Sequence, residues 1–130
     1  MPVEFLWHDE EEAIAICTMS GEWTWDEFFE ARTAFRDHHH IGERDRVDLI
    51  WEVAHKATMP ANFIPVMQSA VASASKNWAI TVVVDPGLLL KSLLGVVTRT
   101  HPETKERFPI AETYQEAIEI IERHRLMSRE

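Results

Sequence analysis

The chain contains 130 residues, a length that suits one domain with one hydrophobic core. Hydrophobic residues make up 45% and charged residues 27% of the sequence, which argues against a disordered chain. The formal net charge of −9, without a cluster of lysines and arginines, argues against nucleic acid and anionic membranes as partners. No apolar run reaches the ~18 residues of a membrane helix. The acidic start "MPVEFLWHDEEE" lacks the basic region of a signal peptide, so we expect a cytoplasmic protein.

Two strands open the chain. The segment "VEFLWH" (3–8) alternates apolar and polar residues, and "EAIAICTM" (12–19) follows after the acidic segment "DEEE". Two such strands joined by a short polar segment predict a hairpin with a solvated turn. The only cysteine, Cys17, lies in the second strand, so no intramolecular disulfide can form and an inert core position is expected.

The first helix has a sequence signature at its start, within "SGEWTWDEFFEART" (20–33). Thr24 followed by Glu27 predicts a capping box, in which each residue's side chain accepts a hydrogen bond from the other's backbone N–H. The aromatic crowding is therefore interpreted as a helix start that runs to about His39. Exposure of one tryptophan, Trp25, for contact with a partner is the alternative.

A strand, a loop and a second helix come next. The segment "VDLIWEV" (47–53) predicts the third strand, and the loop "AHKATMPAN" follows it. Asn62 is a candidate N-cap of the second helix, because Pro65 then falls in the first turn, where proline is tolerated. The segment "AITVVVD" (79–85) is apolar on both faces and predicts a buried central strand.

The third helix carries an unusually wide apolar arc. Asp85 is the expected N-cap, with Pro86 at the first helical position. The leucines and valines of "GLLLKSLLGVVTR" span roughly 160° of the helix surface, more than contact with a core requires. Part of this arc is expected to be core. The surplus edge, with Leu90, Leu94 and Val97, predicts an exposed strip that a second copy of the chain covers in a homodimer.

A short strand and a last helix complete the chain. The segment "FPIA" (108–111) predicts an edge strand, since Pro109 cannot donate a ladder hydrogen bond. Thr113 and Glu116 predict a second capping box. One domain is expected over 1–125, with a frayed tail over 126–130. The order β-β-α-β-α-β-α-β-α predicts an α/β fold with a mixed, mostly parallel sheet of four or five strands.

This order of elements resembles the STAS domain, the fold of bacterial anti-sigma-factor antagonists, over almost the whole chain. The family carries a phosphorylatable serine in an Asp-Ser-Ser-Gly-like turn after its third strand. Here that place holds "AHKATMPANF", which contains neither serine nor glycine, and Thr58 is its only hydroxyl. The resemblance implies a partner-binding, regulatory role, while the serine motif itself is missing.

Catalytic and metal chemistry have little support in the sequence. There is no G-x-S-x-G turn and no glycine-rich phosphate loop, so we expect neither an enzyme nor a cofactor. His38, His39 and His40 are consecutive, and adjacent helical residues point about 100° apart, so a solvated helix end is expected and no metal site. Asp48 and Glu52 share one face of the third strand. They would suggest acid–base chemistry if buried, but we expect them to face water.

The loop 54–62 is the better candidate for a site. It leaves the carboxyl end of a parallel strand and enters a helix N-terminus, where ligands and anions are favoured. Its polar residues are His55, Lys56, Thr58 and Asn62, and a phosphate on Thr58 would meet a favourable helix dipole. A plain connecting loop is the alternative.

Two functions follow as hypotheses. The first is a non-catalytic STAS-like module that binds a regulatory protein partner through the second and third helices and the loop 54–62. The second is a carrier of an apolar, lipid-like molecule in a pocket between the sheet and the helices. The residues expected to line that pocket are Trp51, Met59, Met67 and Trp78.

Overall fold

The computed structural model describes residues 2–100 and 102–128, without the side chains at 103 and 105. Its strands and α-helices follow the predicted order and have these bounds: β1 Val3–Asp9, β2 Ile14–Met19, α1 Trp25–His38, β3 Val47–Val53, α2 Phe63–Ala72, β4 Trp78–Val84, α3 Leu88–Thr100, β5 Ile110–Ala111 and α4 Tyr114–Ser128. Short 3₁₀ turns lie at Ile41–Glu43 and Pro102–Arg107. None of the helices within these residues is both long and apolar enough to cross a membrane.

The five strands form one mixed sheet in the order β1-β2-β3-β4-β5. The hairpin strands β1 and β2 pair antiparallel, and every later neighbour pairs parallel, which confirms the predicted mixed, mostly parallel sheet. The last strand is two residues shorter than predicted. Pro109 has no N–H to donate, although its carbonyl oxygen accepts a hydrogen bond from Val83 N–H at 2.9 Å.

The two faces of the sheet are covered unequally. The helices α1, α2 and α3 pack on one face, where Cys17, Trp51 and Val83 join a large apolar core. The helix α4 alone packs on the other face, against residues of β2, β3 and β4. Leu6 of β1 points to this second face and is 57% exposed. The β1 side of the second face therefore stays open to solvent.

The start of α1 confirms the predicted capping box. Glu27 N–H donates to Thr24 Oγ1 at 3.1 Å, and Thr24 N–H donates to the Glu27 carboxylate at 3.0 Å. Trp25 is half-buried rather than exposed, and its indole N–H donates to the carbonyl oxygen of Ala61 at 3.0 Å. The tryptophan thus ties the start of α1 to the loop that precedes α2.

Only one half of the second capping box forms as predicted. Glu116 N–H donates to Thr113 Oγ1 at 3.1 Å. The Glu116 carboxylate accepts from the N–H of Glu112 at 3.3 Å, and not from that of Thr113. The helix α4 continues to Ser128, so the predicted end at Arg125 is three residues short; residues 129 and 130 lie outside the described residues.

The helix α3 corrects the sequence analysis in two respects. It begins at Leu88 rather than Pro86, because Asp85 has a left-handed backbone with φ of 44°. The prediction of an exposed strip at Leu90, Leu94 and Val97 is wrong: these side chains are 3%, 3% and 0% exposed and belong to the core. Their spacing of four and three residues places them on one stripe, and this stripe faces the sheet.

Candidate functional site

The loop 54–62 lies at the carboxyl edge of the parallel strands, beside the end of β4. His55 Nε2 is 2.9 Å from the carbonyl oxygen of Asp85 and 3.2 Å from its carboxylate Oδ2. Both side chains are more than half exposed, so the ion pair of a protonated His55 is worth at most about 1 kcal/mol. Sequence analysis missed this contact, although residues that follow adjacent parallel strands are expected to lie at the same edge.

Thr58 is exposed and is held by the loop that precedes α1. Its backbone N–H donates to the carbonyl oxygen of Gly21 at 2.9 Å, and its hydroxyl is 3.4 Å from the same oxygen. The hydroxyl contact is long, so this group is available to a modifying enzyme at little cost. Thr58 precedes the first turn of α2, where the helix dipole is strongest, by several residues. The dipole therefore gives less support to a phosphate on Thr58 than the sequence analysis expected.

Asn62 holds the predicted position at the start of α2 without capping the helix. Its backbone is left-handed, with φ of 59°, and its side chain makes no capping hydrogen bond. A capping residue normally has extended backbone, which aims its side chain at the first turn. The four predicted site residues thus share one loop without converging: His55 meets Asp85, Thr58 meets Gly21, Lys56 is exposed, and Asn62 begins the helix.

Two exposed leucines follow Asp85 at the same edge of the sheet. Leu88 is 86% exposed and Leu89 is 61% exposed, at the start of α3. The sequence signal for them was the wide apolar arc, but the prediction assigned the wrong side of that arc to solvent. We call this region the carboxyl-edge surface, made of the loop 54–62, Asp85, Leu88 and Leu89.

The histidine triplet and the cysteine lie outside the carboxyl-edge surface. The ring of His39 lies 4.6 Å from that of Phe35, and His40 has a left-handed backbone. Among the side chains that the structure describes, no group of three or more metal-ligating residues could hold an ion. Cys17 is 0% exposed, and burial raises the pKa of its thiol, which keeps it protonated and unreactive at neutral pH.

Asp48 corrects the expectation that the acids of β3 face water. Its side chain is 0% exposed and lies beneath α4. The carboxylate accepts from Arg46 Nε at 3.0 Å, Arg125 Nε at 2.8 Å and Ile80 N–H at 3.1 Å. Arg125 was missed because it is 77 residues away in the chain. A carboxylate that is held by two guanidinium groups and a backbone N–H serves as the centre of a structural ion pair.

A small cavity lies at the opposite, amino edge of the sheet, between α1, α2 and the strands. Its volume is about 80 Å³. Its wall includes two arginines of α1, Arg32 and Arg36. The main apolar side chains of its wall are Phe28, Phe35, Leu49, Trp51, Met67 and Trp78. Three of the four residues predicted for an apolar pocket therefore line it, whereas Met59 packs against the core.

The comparisons with known proteins support the fold. No protein-family model and no curated protein matches the sequence. Among solved structures, the chain is similar to that of the Bacillus cell fate determinant SpoIIAA in its phosphorylated form, with a TM-score of 0.58 and 12% identity. The alignment covers 92% of this chain and 98% of that one. The chain therefore has a STAS-like fold, and an identity this low carries the fold alone.

Proposed function

We propose that this chain is a non-catalytic STAS-like regulatory module that binds a protein partner through the carboxyl-edge surface. One observation carries the proposal: on this fold, an exposed hydroxyl at Thr58 and the exposed apolar side chains of Leu88 and Leu89 lie at the same edge of the sheet. Exposed apolar side chains beside polar groups are a common feature of protein–protein contact sites.

The chemistry of this edge suits recognition better than catalysis. His55, the residue best able to act as a base, is held through Nε2 by the Asp85 carbonyl and carboxylate, so a base role would fall to its Nδ1. Thr58 is directed to the Gly21 carbonyl, so within the described contacts histidine and hydroxyl do not form a nucleophile–base pair.

Phosphorylation of Thr58 is the switch that we propose for this surface. The solved SpoIIAA structure is of a phosphorylated form, and this loop offers Thr58 in place of the missing serine motif. A phosphate would add a charge of about −1.5 to −2 beside exposed Lys56 and would replace the long contact to Gly21. Such a charge on a contact surface changes the affinity of a partner by attraction or repulsion.

The carrier of a lipid-like molecule has less support. Pockets for ligands of drug size measure about 300–1,000 Å³. The apolar cavity at the amino edge measures about 80 Å³, which is too small for a lipid chain, and the larger pocket of about 540 Å³ beside Arg46 and Arg125 is lined mainly by charged residues.

The test begins with photo-crosslinking in cells that produce the chain, with a crosslinking amino acid at Leu88 or, as the control, at Leu126. Both positions are exposed, and Leu126 lies near the end of α4, away from the carboxyl edge. We expect one protein to be captured from Leu88 only. Capture of a second copy of this chain would indicate a homodimer, and equal capture from both positions would contradict the proposed surface.

The captured protein is then purified and its affinity measured by calorimetry. Leu88→Asp combined with Leu89→Asp should weaken binding at least tenfold, whereas Leu126→Asp should leave it unchanged. For the switch, Thr58→Glu should change the affinity at least tenfold, with Thr33→Glu on the exposed face of α1 as its matched control. Mass spectrometry of the chain from its own cells should find phosphate on Thr58. If no phosphate is found under any growth condition, the proposed phosphorylation is wrong, but the proposed binding surface is not affected.

A further inference from the structure

We propose that the cavity at the amino edge of the sheet binds a small amphipathic carboxylate, with its short apolar tail in the cavity and its carboxylate on Arg32 and Arg36. This site lies at the opposite edge from the carboxyl-edge surface, and its occupancy is independent of the proposed partner binding.

The two arginines are cations without an acidic partner. Arg32 and Arg36 lie one helical turn apart on α1 and both line the cavity. Among the side chains that the structure describes, neither guanidinium has a carboxylate within 4.0 Å, although the chain has 22 acidic against 13 basic residues. Like charges at this spacing repel each other. An anion between them would remove the repulsion.

The hydrogen bonds of the two guanidinium groups are incomplete. Arg32 donates from Nη1 to Ala70 O at 3.3 Å and from Nη2 to Ser73 Oγ at 3.1 Å, while its buried Nε–H has no acceptor. Arg36 directs both terminal nitrogens at Ser73 O, at 3.5 Å each. Since a guanidinium carries five N–H donors, several remain for a ligand. A carboxylate can accept hydrogen bonds at both of its oxygens and can therefore bind donors of both groups.

Partial burial of the two guanidinium groups also favours the binding of an anion. The pKa of Arg32 is lowered to about 10, first by burial and then by the charge of Arg36. Burial also lowers the pKa of Arg36, while the nearby charge of Asp37 acts in the opposite direction. Both groups remain cationic at neutral pH, but their charge is poorly compensated. The ring of Phe29, 4.8 Å from the Arg32 guanidinium carbon, offers only a cation–π contact.

The cavity itself fits a short tail. An engineered cavity of about 150 Å³ holds benzene, so a volume of about 80 Å³ suits roughly three or four carbon atoms. Trp51 also lines the cavity, and its buried indole N–H has no acceptor among the described residues. The combination of a small apolar space and unsatisfied donors specifies a short-chain carboxylate rather than a pure hydrocarbon.

The test is a titration of the full chain with pentanoate, followed by NMR of the tryptophan indole N–H signals. Saturable shifts are expected for Trp51 and Trp78, which line the cavity. Pentanamide and pentylammonium, which have the same five carbon atoms without the anionic head, should bind at least tenfold more weakly. Affinity should stop increasing between pentanoate and octanoate, because the additional carbons do not fit.

Matched variants test which arginines bind the carboxylate of pentanoate. Arg36→Gln and Arg32→Gln should each weaken pentanoate binding at least tenfold, and Arg99→Gln should not, since Arg99 is exposed and its guanidinium hydrogen bond is to Gly95 O of its own helix. Circular dichroism checks that each variant is folded. Should Arg32→Gln fail to fold, Ala74→Leu provides the second test: it fills the cavity, keeps both arginines and is expected to abolish binding.

Three results would overturn the proposal. The first is a titration without saturable shifts at Trp51 and Trp78. The second is equal affinity for pentanoate and pentylammonium. The third is an equal loss of affinity in Arg36→Gln and Arg99→Gln.

Discussion

Two pairs of arginines lie near the amino edge of the sheet, one pair on each face, and they differ in how their charge is compensated. Beneath α4, Arg46 and Arg125 both contact the buried carboxylate of Asp48. Between α1 and α2, Arg32 and Arg36 contact backbone carbonyls and one hydroxyl. The comparison shows that arginine has two different roles in this chain. A compensated arginine holds elements together, and an uncompensated one retains capacity for a ligand.

The largest effect is expected where the compensated pair is broken. Asp48→Ala leaves two partly buried guanidinium groups without their shared anion and leaves Ile80 N–H without an acceptor. We expect the free energy of unfolding to fall by about 3–5 kcal/mol. Urea denaturation measures the change. Asp45→Ala, at an exposed position, should cost less than about 0.5 kcal/mol; a similar cost for both would show that Asp48 is not a structural anion.

Arginine substitutions compare the two pairs directly. Arg125→Gln removes a charged hydrogen bond to Asp48 and the contact with Glu12, so we expect a loss of about 2 kcal/mol. Arg36→Gln removes only long contacts to Ser73 O and relieves repulsion with Arg32, so stability should change by less than about 0.5 kcal/mol. Thermal unfolding of the two variants under the same buffer gives the difference. Equal losses would remove the distinction between the pairs.

The smallest expected effect concerns Tyr114, a half-buried titratable group in the first turn of α4. Tyr114 is the only tyrosine, is hydrogen-bonded to His8 Nδ1, and has its pKa raised by burial and then by the charge of Glu52. Because the phenol ionises less readily in the folded chain than in the unfolded one, stability should fall as the pH rises above about 10. Glu52→Gln should lower the pKa of Tyr114 towards its ordinary value.

The near-ultraviolet absorbance of tyrosinate reports this titration without interference from other tyrosines. Glu119→Gln is the control, because Glu119 is exposed on α4. A Tyr114 pKa that is the same in Glu52→Gln as in the parent chain would contradict the role of Glu52.

The order of elements could be predicted from the sequence because local signals determine it. The capping box at Thr24 and Glu27, the alternation in β1 and the apolar run of β4 each act within a few residues. The rotation of α3 could not be predicted in this way. The width of the apolar arc of α3 indicated that some of its apolar side chains would be exposed. Which side of the arc is exposed depends on how the helix packs against the sheet, which buries Leu90 and leaves Leu88 in solvent.

The candidate sites depended on contacts between distant residues. Asp48 was expected to face water because charged side chains are rarely fully buried, whereas its main partner Arg125 comes from α4 and is distant in sequence. Arg32 and Arg36 drew no attention, since arginine on an amphipathic helix is ordinary. Their lack of an acidic partner among the described side chains is visible only when the residues around them in space are known.

The unequal ends of the sheet limit how it could grow. At one end, β5 is only two residues long and follows Pro109. It therefore has too few free backbone groups to pair with an added strand. At the other end, β1 is seven residues long and has one neighbour, β2. An extended peptide that joined this sheet by backbone pairing would therefore add beside β1, where Glu4 and Asp9 would disfavour an acidic peptide.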